Sequence, residues 1–195
     1  MMRRRSAWGL GAALLAAALA AAALASRTLD VPFHEQVTNT SCGAACLESA
    51  MEYWGVRVTQ KEMLRRHPPK SRNGYSIGEL KAIAMDKGLK AFGVAVQMDF
   101  LEAQTAKGRP VIVPVMITYD EYRFNFAARV PVIGELFTLF RNGVVPDFSH
   151  YIVVCGVEPE VVHVIDPMYG EVNIPRRRFE EMWNETGNAA LLVAL

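Results

Sequence analysis

The stretch Gln36–Gly55, QVTNTSCGAACLESAMEYWG, decides how the rest of the chain is read. Ala44, Leu47, Ala50 or Met51 and Trp54 recur at three- and four-residue spacing, which predicts a helix. Glu48 and Glu52 share the opposite face, and Gly55 stands where a C-terminal cap belongs. Thr40 and Ser41 are natural N-cap residues, so Cys42 falls in the first turn, among backbone N–H groups that lack an intrahelical partner. Those groups and the helix dipole favour negative charge, and a thiol placed there ionises more readily than a free cysteine. Acyl transfer through a thiolate also needs donors for the oxyanion. The Cys42 N–H and the side-chain amide of Gln36, six residues earlier, are the candidates. A cysteine at a helix start is by itself more often a small buried residue than a nucleophile. The second half of a site has to come from elsewhere in the chain.

Four histidines are available: His34, His67, His150 and His163. His67 lies in a charged segment before Pro68-Pro69 and reads as solvated, while His34 sits too close to the first helix to be assigned from sequence. His150 and His163 lie on a predicted hairpin with its turn near Glu158-Pro159. Folding that hairpin back sets His150 opposite Asp166, within a residue of register. Opposed residues on one face of an antiparallel pair have Cβ atoms about 5 Å apart. A carboxylate there accepts a hydrogen bond from one imidazole nitrogen, fixes the tautomer and leaves the other nitrogen for a thiol. His163 is an odd number of residues from Asp166 and should point to the other face. Alone, His150 and Asp166 read equally well as a strand-end pair that satisfies itself. Together with Cys42 and Gln36 they complete a set of nucleophile, base, orienting carboxylate and oxyanion donor, which is what cysteine acyl-transfer chemistry requires.

The remaining sequence bounds where such chemistry would operate. Met1–Arg5 is a basic run, Ala7–Leu24 is apolar and alanine-rich, and Ala23-Leu24-Ala25 offers the small residues of a cleavage site before Ser26. Residues 1–25 are therefore expected to be a secretory signal peptide. An uncleaved membrane anchor is the alternative, since the apolar stretch approaches the roughly 20 residues that span a bilayer. Export would make the destination periplasmic or extracellular, with tethering to the inner membrane if the segment is retained. Losing residues 1–25 removes Arg3, Arg4 and Arg5 and no acid, which turns 21 basic and 20 acidic residues into 18 and 20. No basic field remains for nucleic acid. Three cysteines are an odd number, so in an exported protein at least one thiol is free or paired with another chain. Cys46 and Cys155 read as buried apolar residues, with a Cys46–Cys155 disulfide as the sharper alternative. The cysteines and histidines form no zinc-like cluster, and no metal or cofactor is expected.

Residues 27–195 fit a single domain. After Gly55 a strand-like VRV precedes a capping box, Thr59 to Glu62, for a short helix that ends before Pro68-Pro69. A second box, Ser76 to Glu79, opens a helix that Gly88 ends, and a third helix is expected to start at Asp99 to Glu102 and end at Gly108. Strands are expected at AFGVAV, at VIVPVMI, where Pro114 argues for an edge or a bulge, at HYIVVCGV, VVHVIDP and EVNI, and at the terminal AALLVAL after the helix RRRFEEMW. The connection at about 119–149 is rich in aromatic residues and unusually long for a compact domain. It reads as extra core, a lid over a cleft, or a patch that brings the protein near a membrane.

The run Gln36 to Cys46 with its CGAAC core, the HYIVVCGV strand, and Asp166-Pro167 followed by Gly170 resemble the bacteriocin-processing cysteine peptidases. That family removes double-glycine leaders and belongs to the papain-like clan. The resemblance runs from about Val31 to the C-terminus, interrupted at the aromatic connection. It implies an α/β (α+β) papain-like fold, with the nucleophile helix packed on a mostly antiparallel sheet that carries histidine and aspartate. It assigns Cys42 as nucleophile, His150 as general base and acid, Asp166 as orienting carboxylate and Gln36 as oxyanion donor. The partner it implies is a peptide or protein substrate. Best-known members are fused to a transporter and face the cytosol, whereas this chain begins with an export-like segment, so the substrate stays open. Three functions follow: an exported cysteine peptidase, a peptide-binding domain of peptidase-like fold that does not cut, and an acyltransferase or amidase on the same scaffold.

Overall fold

The structure is a computed structural model, and it describes residues 28–117 and 148–195. The expected signal segment and nearly all of the aromatic connection lie outside the described residues. Helices α1 (Cys42–Tyr53), α2 (Gln60–Arg66) and α3 (Ile77–Asp86) come first. They are followed by β1 (Lys90–Ala95), α4 (Met98–Ala106), β2 (Val111–Ile117), β3 (Phe148–Val157), β4 (Val161–Asp166), β5 (Gly170–Pro175), α5 (Arg176–Asn184) and β6 (Ala189–Ala194). The strands form one sheet in the order β1-β6-β2-β3-β4-β5, with every pairing antiparallel.

Local chemistry sets the helix ends. Thr59 caps α2 by accepting the Glu62 N–H, and Ser76 and Glu79 form both arms of the capping box that opens α3. Helix α4 departs from expectation by a residue: it starts at Met98 with Gln97 at the cap position, and Asp99 instead accepts the Phe100 N–H inside the first turn. The VRV segment at 56–58 forms no strand. Two i,i+4 pairs, Arg176–Glu180 at 3.1 Å and Arg177–Glu181 at 3.0 Å, line the outer side of α5, whose Phe179, Met182 and Trp183 turn inward.

A core lies on each side of the sheet. Leu47, Met51, Met63, Leu80 and Ile83 of α1–α3 pack with Ile112, Tyr151, Val153 and Ile165 on one face. Leu101 of α4 and Phe179 and Trp183 of α5 pack with Val113, Val115, Ile152, Val154 and Val164 on the other. Strands buried on both faces read as continuous apolar runs, as β2 and β3 do.

Pro114 sits in an interior strand, not at an edge, yet its missing N–H is harmless. Strand β2 pairs with β6 only at Val111 and Ile112, so from Val113 onward one side of β2 has no strand neighbour. The Pro114 carbonyl is taken there by the Thr186 hydroxyl at 2.8 Å.

The hairpin of β3 and β4 differs from expectation in register. Its tight turn is marked by the Glu158 N–H to Val161 carbonyl bond, and a bulge at Cys155 separates the pairs Val154–Val164 and Gly156–His163. Val153 faces Ile165, so Asp166 falls opposite Ile152 and diagonal to His150, two residues from the direct pairing expected. Had the register set by the turn run on without the bulge, Asp166 would share a face with Val153. The extra residue returns Asp166 to the face of His150.

Candidate active site

Cys42 opens α1, and Ser41 occupies the cap position without capping it. Its hydroxyl turns back instead, accepting the Thr38 N–H at 2.9 Å and lying 3.2 Å from the Gln60 side-chain oxygen. The first intrahelical bond runs from Ala45 to the Ser41 carbonyl, so the N–H groups of the first turn are left for the thiol and whatever approaches it. Helix α1 is not amphipathic in the expected sense. Every residue from Cys42 to Met51 is buried, Glu48 included, because the sheet covers one side and α2 and α3 the other.

His150 is buried at the start of β3 and its Nε2 lies 3.0 Å from Asp166 Oδ1. The same carboxylate oxygen accepts the Met168 N–H at 2.7 Å, and the Asp166 carbonyl accepts the Tyr169 N–H. Asp-Pro at the first two positions of this turn is what a type I turn favours, so the turn chemistry itself orients the carboxylate. The imidazole's other side hydrogen-bonds the Cys42 thiol. With Nε2 taken by Asp166, that bond falls to Nδ1.

Electrostatics follow from these contacts. Burial of the Cys42 thiol opposes ionisation. The His150 hydrogen bond and charge, together with the Tyr151 and Gly43 N–H groups, outweigh it and bring the thiol below its ordinary value. Burial likewise opposes a charged His150, but hydrogen bonds to Asp166 and Cys42 and their charges lift it to about 9. Cys46 shows the contrast: fully buried, with Cys42 and Asp166 as its charged neighbours, its thiol is pushed well up. An imidazole held between a carboxylate and a thiol is the arrangement in which a proton leaves sulfur for nitrogen.

The Tyr151 N–H explains how a helix on one face of the sheet meets a histidine on the other. Tyr151 pairs with Pro114 of β2, whose carbonyl points away, so its N–H faces the side of β4. Strand β4 has already turned off at Asp166-Pro167. The Tyr151 N–H is thereby left for the Cys42 thiol.

Gln36 is only partly brought into this group. Its backbone N–H is held by the Pro167 carbonyl at 2.9 Å, beside the Asp166 turn. Its side-chain N–H donates to the Thr38 carbonyl at 3.1 Å, and its side-chain oxygen is buried without a partner. Of the other histidines, His34 bonds Glu52 at 2.6 Å and lies 3.5 Å from Glu48. His163 bonds Asn173 at 2.7 Å, on the face opposite Asp166, as parity requires. All three cysteines are free thiols, and Cys155 donates to the His163 carbonyl at 3.2 Å. No group of His, Cys, Asp and Glu among the described residues is arranged to hold a metal ion.

Sequence reasoning missed three contributors: Gln60, read only as a helix start, the Tyr151 N–H, and Gly43. A Cβ on Gly43 would stand 3.1 Å from both Leu80 Cδ1 and Tyr151 Cδ2, so the glycine of CGAAC lets β3 reach the thiol.

A cysteine-bearing helix packed by its start against an antiparallel sheet that carries histidine and aspartate defines the papain-like class of peptidase fold. More narrowly, the chain belongs to the Peptidase_C39 like family, whose sequence profile matches residues 28–191. Solved structures agree on the fold. A protein described as a C39-like peptidase from Bacillus anthracis superposes with a TM-score of 0.62 at 17% identity, covering 85% of this chain and 95% of that one. A double glycine motif protease from an AMS/PCAT transporter, in complex with its leader peptide, gives 0.59 at 21% identity over 87% and 96%. The peptidase domain of Streptococcus ComA, a bifunctional ABC transporter of a quorum-sensing pathway, gives 0.59 at 17% over 83% and 96%. No curated protein sequence matches the chain.

Proposed function

We propose that this chain is an exported cysteine peptidase that hydrolyses peptide bonds through Cys42, with His150 as general base and acid and Asp166 as the orienting carboxylate. The observation that carries the reading is His150 set between the Asp166 carboxylate, 3.0 Å away, and the Cys42 thiol, which is held below its ordinary range. Thiolate attacks the scissile carbonyl, and the first-turn N–H of Cys42 holds the oxyanion. Gln36 completes the hole once a substrate draws its amide from the Thr38 carbonyl. The His150 imidazolium gives its proton to the departing amine, and water, activated by the same imidazole, releases the acyl-enzyme. The substrate class is a peptide; the AMS/PCAT protease of the same fold is held in complex with a leader peptide. Export rests on the basic and apolar character of residues 1–25. N-terminal sequencing of the cell-free or periplasmic fraction is expected to find a chain beginning near Ser26.

The test of chemistry is direct. Incubated with a library of unblocked peptides and read by mass spectrometry, the protein is expected to give new amine and carboxylate termini, and Cys42→Ala none. Capture of peptides without cleavage would replace this reading with a binding domain. Products joined to an added amine would replace hydrolysis with acyl transfer.

A further inference from the structure

Gln60 is the first residue of α2, is only 4% exposed, and has every polar group of its side chain engaged. Its Nε2 donates to the Glu35 carbonyl at 2.7 Å, and its Oε1 accepts the Val37 N–H at 2.9 Å. In extended backbone, the carbonyl of one residue and the N–H two residues on point to the same edge. The Gln60 amide therefore pairs with the segment 35–37 as a neighbouring strand would. The opposite edge of that segment is held as well, since the Gln36 N–H donates to the Pro167 carbonyl at 2.9 Å. The backbone around Gln36 is thus clamped from both edges, while its side-chain amide rests on the Thr38 carbonyl. Gln60 reaches the nucleophile helix too: its Oε1 is 3.2 Å from the Ser41 hydroxyl, and its backbone N–H donates to the buried Glu48 carboxylate of α1 at 2.8 Å.

We propose that Gln60 is a positioning residue for the oxyanion hole, its side-chain amide standing in for a missing strand to fix Gln36 against the first turn of α1. The inference rests on the peptidase reading and on Gln36 as an oxyanion donor. The bonds of Gln60 go to the backbone on either side of Gln36, to the Ser41 hydroxyl and to Glu48, so it sets where the oxyanion is met and not how the thiolate forms. Removing the amide leaves the Glu35 carbonyl and the Val37 N–H without their partner at once, and the loop relaxes.

The test compares Gln60→Ala, Gln60→Glu, Gln36→Ala and Gln36→Ala/Gln60→Ala in the full chain, on a peptide that the wild-type protein cleaves. Gln60→Ala is expected to lower kcat roughly 10- to 1,000-fold with KM little changed, as loss of an oxyanion donor does. The double variant is expected to lose no more than Gln36→Ala alone, and iodoacetamide is expected to alkylate Cys42 at the wild-type rate. Gln60→Glu keeps the acceptor and loses the donor, which its carboxyl regains on protonation. Its activity relative to wild type is expected to rise as pH falls, a response a purely structural role would not give. Hydrogen exchange at the Gln36 and Val37 amides, expected to be faster in Gln60→Ala, reports the clamp without catalysis. Unchanged kcat or unchanged exchange in Gln60→Ala would overturn the proposal, as would a loss additive with Gln36→Ala or carried wholly by KM. A wild-type protein that cleaves nothing would instead sink the peptidase reading itself.

Discussion

His150 is asked to carry charge where burial forbids it, and the two groups beside it decide the outcome. Asp166 favours imidazolium, Cys42 as thiolate favours it again, and His150 in turn draws the thiol down. The pair predicts two limbs in pH. Thiolate is present above the lowered Cys42 value, so alkylation by iodoacetamide should rise with a midpoint below the ordinary 9.0. Imidazolium is lost above about 9, so hydrolysis should fall there while alkylation, which needs no proton donor, continues. In His150→Ala the opposing burial of Cys42 remains and its main counterweight is gone. The alkylation midpoint should move up and the rate at neutral pH fall roughly tenfold or more, since each unit of pKa is a factor of ten in thiolate. An unchanged midpoint in that variant would dissolve the pair. These residues were legible in the sequence because each stands at the end of an element that periodicity or turn chemistry marks. Gln60 was not, since Thr59-Gln60-Lys61-Glu62 is a sufficient helix start and nothing local says that its second residue is buried.

At the scale of elements, the first helix was legible in place and misread in environment. Three- and four-residue spacing locates α1, but small residues such as Ala44, Ala45, Ser49 and Ala50 do not say how many neighbours they meet. They allow close approach on every side, and α2, α3 and the sheet all take it. Glu48, on the face opposite the apolar positions, is a buried acceptor for the Gln60 N–H. The β3–β4 hairpin was legible as a pair and misread in register, because the bulge at Cys155 carries no marker in the residue string. Its effect is to bring Asp166 to the face of His150 from two residues away, where the long imidazole still reaches. The same close packing makes Gly43→Ala a test of how β3 serves the thiol. The new methyl would meet the Tyr151 ring and Leu80 at 3.1 Å, tighter than ordinary contact. Overpacking of this kind costs about 1–3 kcal/mol. The expected result is a lower melting temperature together with a raised alkylation midpoint, as the Tyr151 N–H is pushed from the sulfur. A lower melting temperature with no change in midpoint would mean that β3 yields elsewhere and that its N–H does not tune the thiol.

Across the whole molecule, the sheet divides two cores while the candidate site sits where the sheet plane is interrupted, between the end of β4 and the start of α1. What spans that gap is the N-terminal strap. The Leu29 N–H donates to the Cys155 carbonyl at 2.8 Å, at the bulge, where the ladder leaves that carbonyl unpaired. Val31 packs into the core shared by α1 and β3, and seven residues after Leu29 the Gln36 N–H reaches the Pro167 carbonyl. The bulge that sets Asp166 on the right face is therefore also the anchor of the segment that delivers Gln36. This makes a prediction about the chain's start. Beginning at Ser26, as a cleaved signal would leave it, the strap is whole, and the protein should melt as the chain from Met1 does. Beginning at Phe33, it loses the partner of a carbonyl at the bulge, about 1–3 kcal/mol if left buried, and the Val31 side chain, about 1.5–3 kcal/mol. At roughly 2–4 °C per kcal/mol for a chain of this size, the melting temperature should fall by at least about 5 °C. Calorimetry on the two chains reads the difference. Equal melting temperatures would mean that the strap merely lies on the sheet, and that Gln36 is held by Gln60 and Pro167 without help from its own N-terminal side.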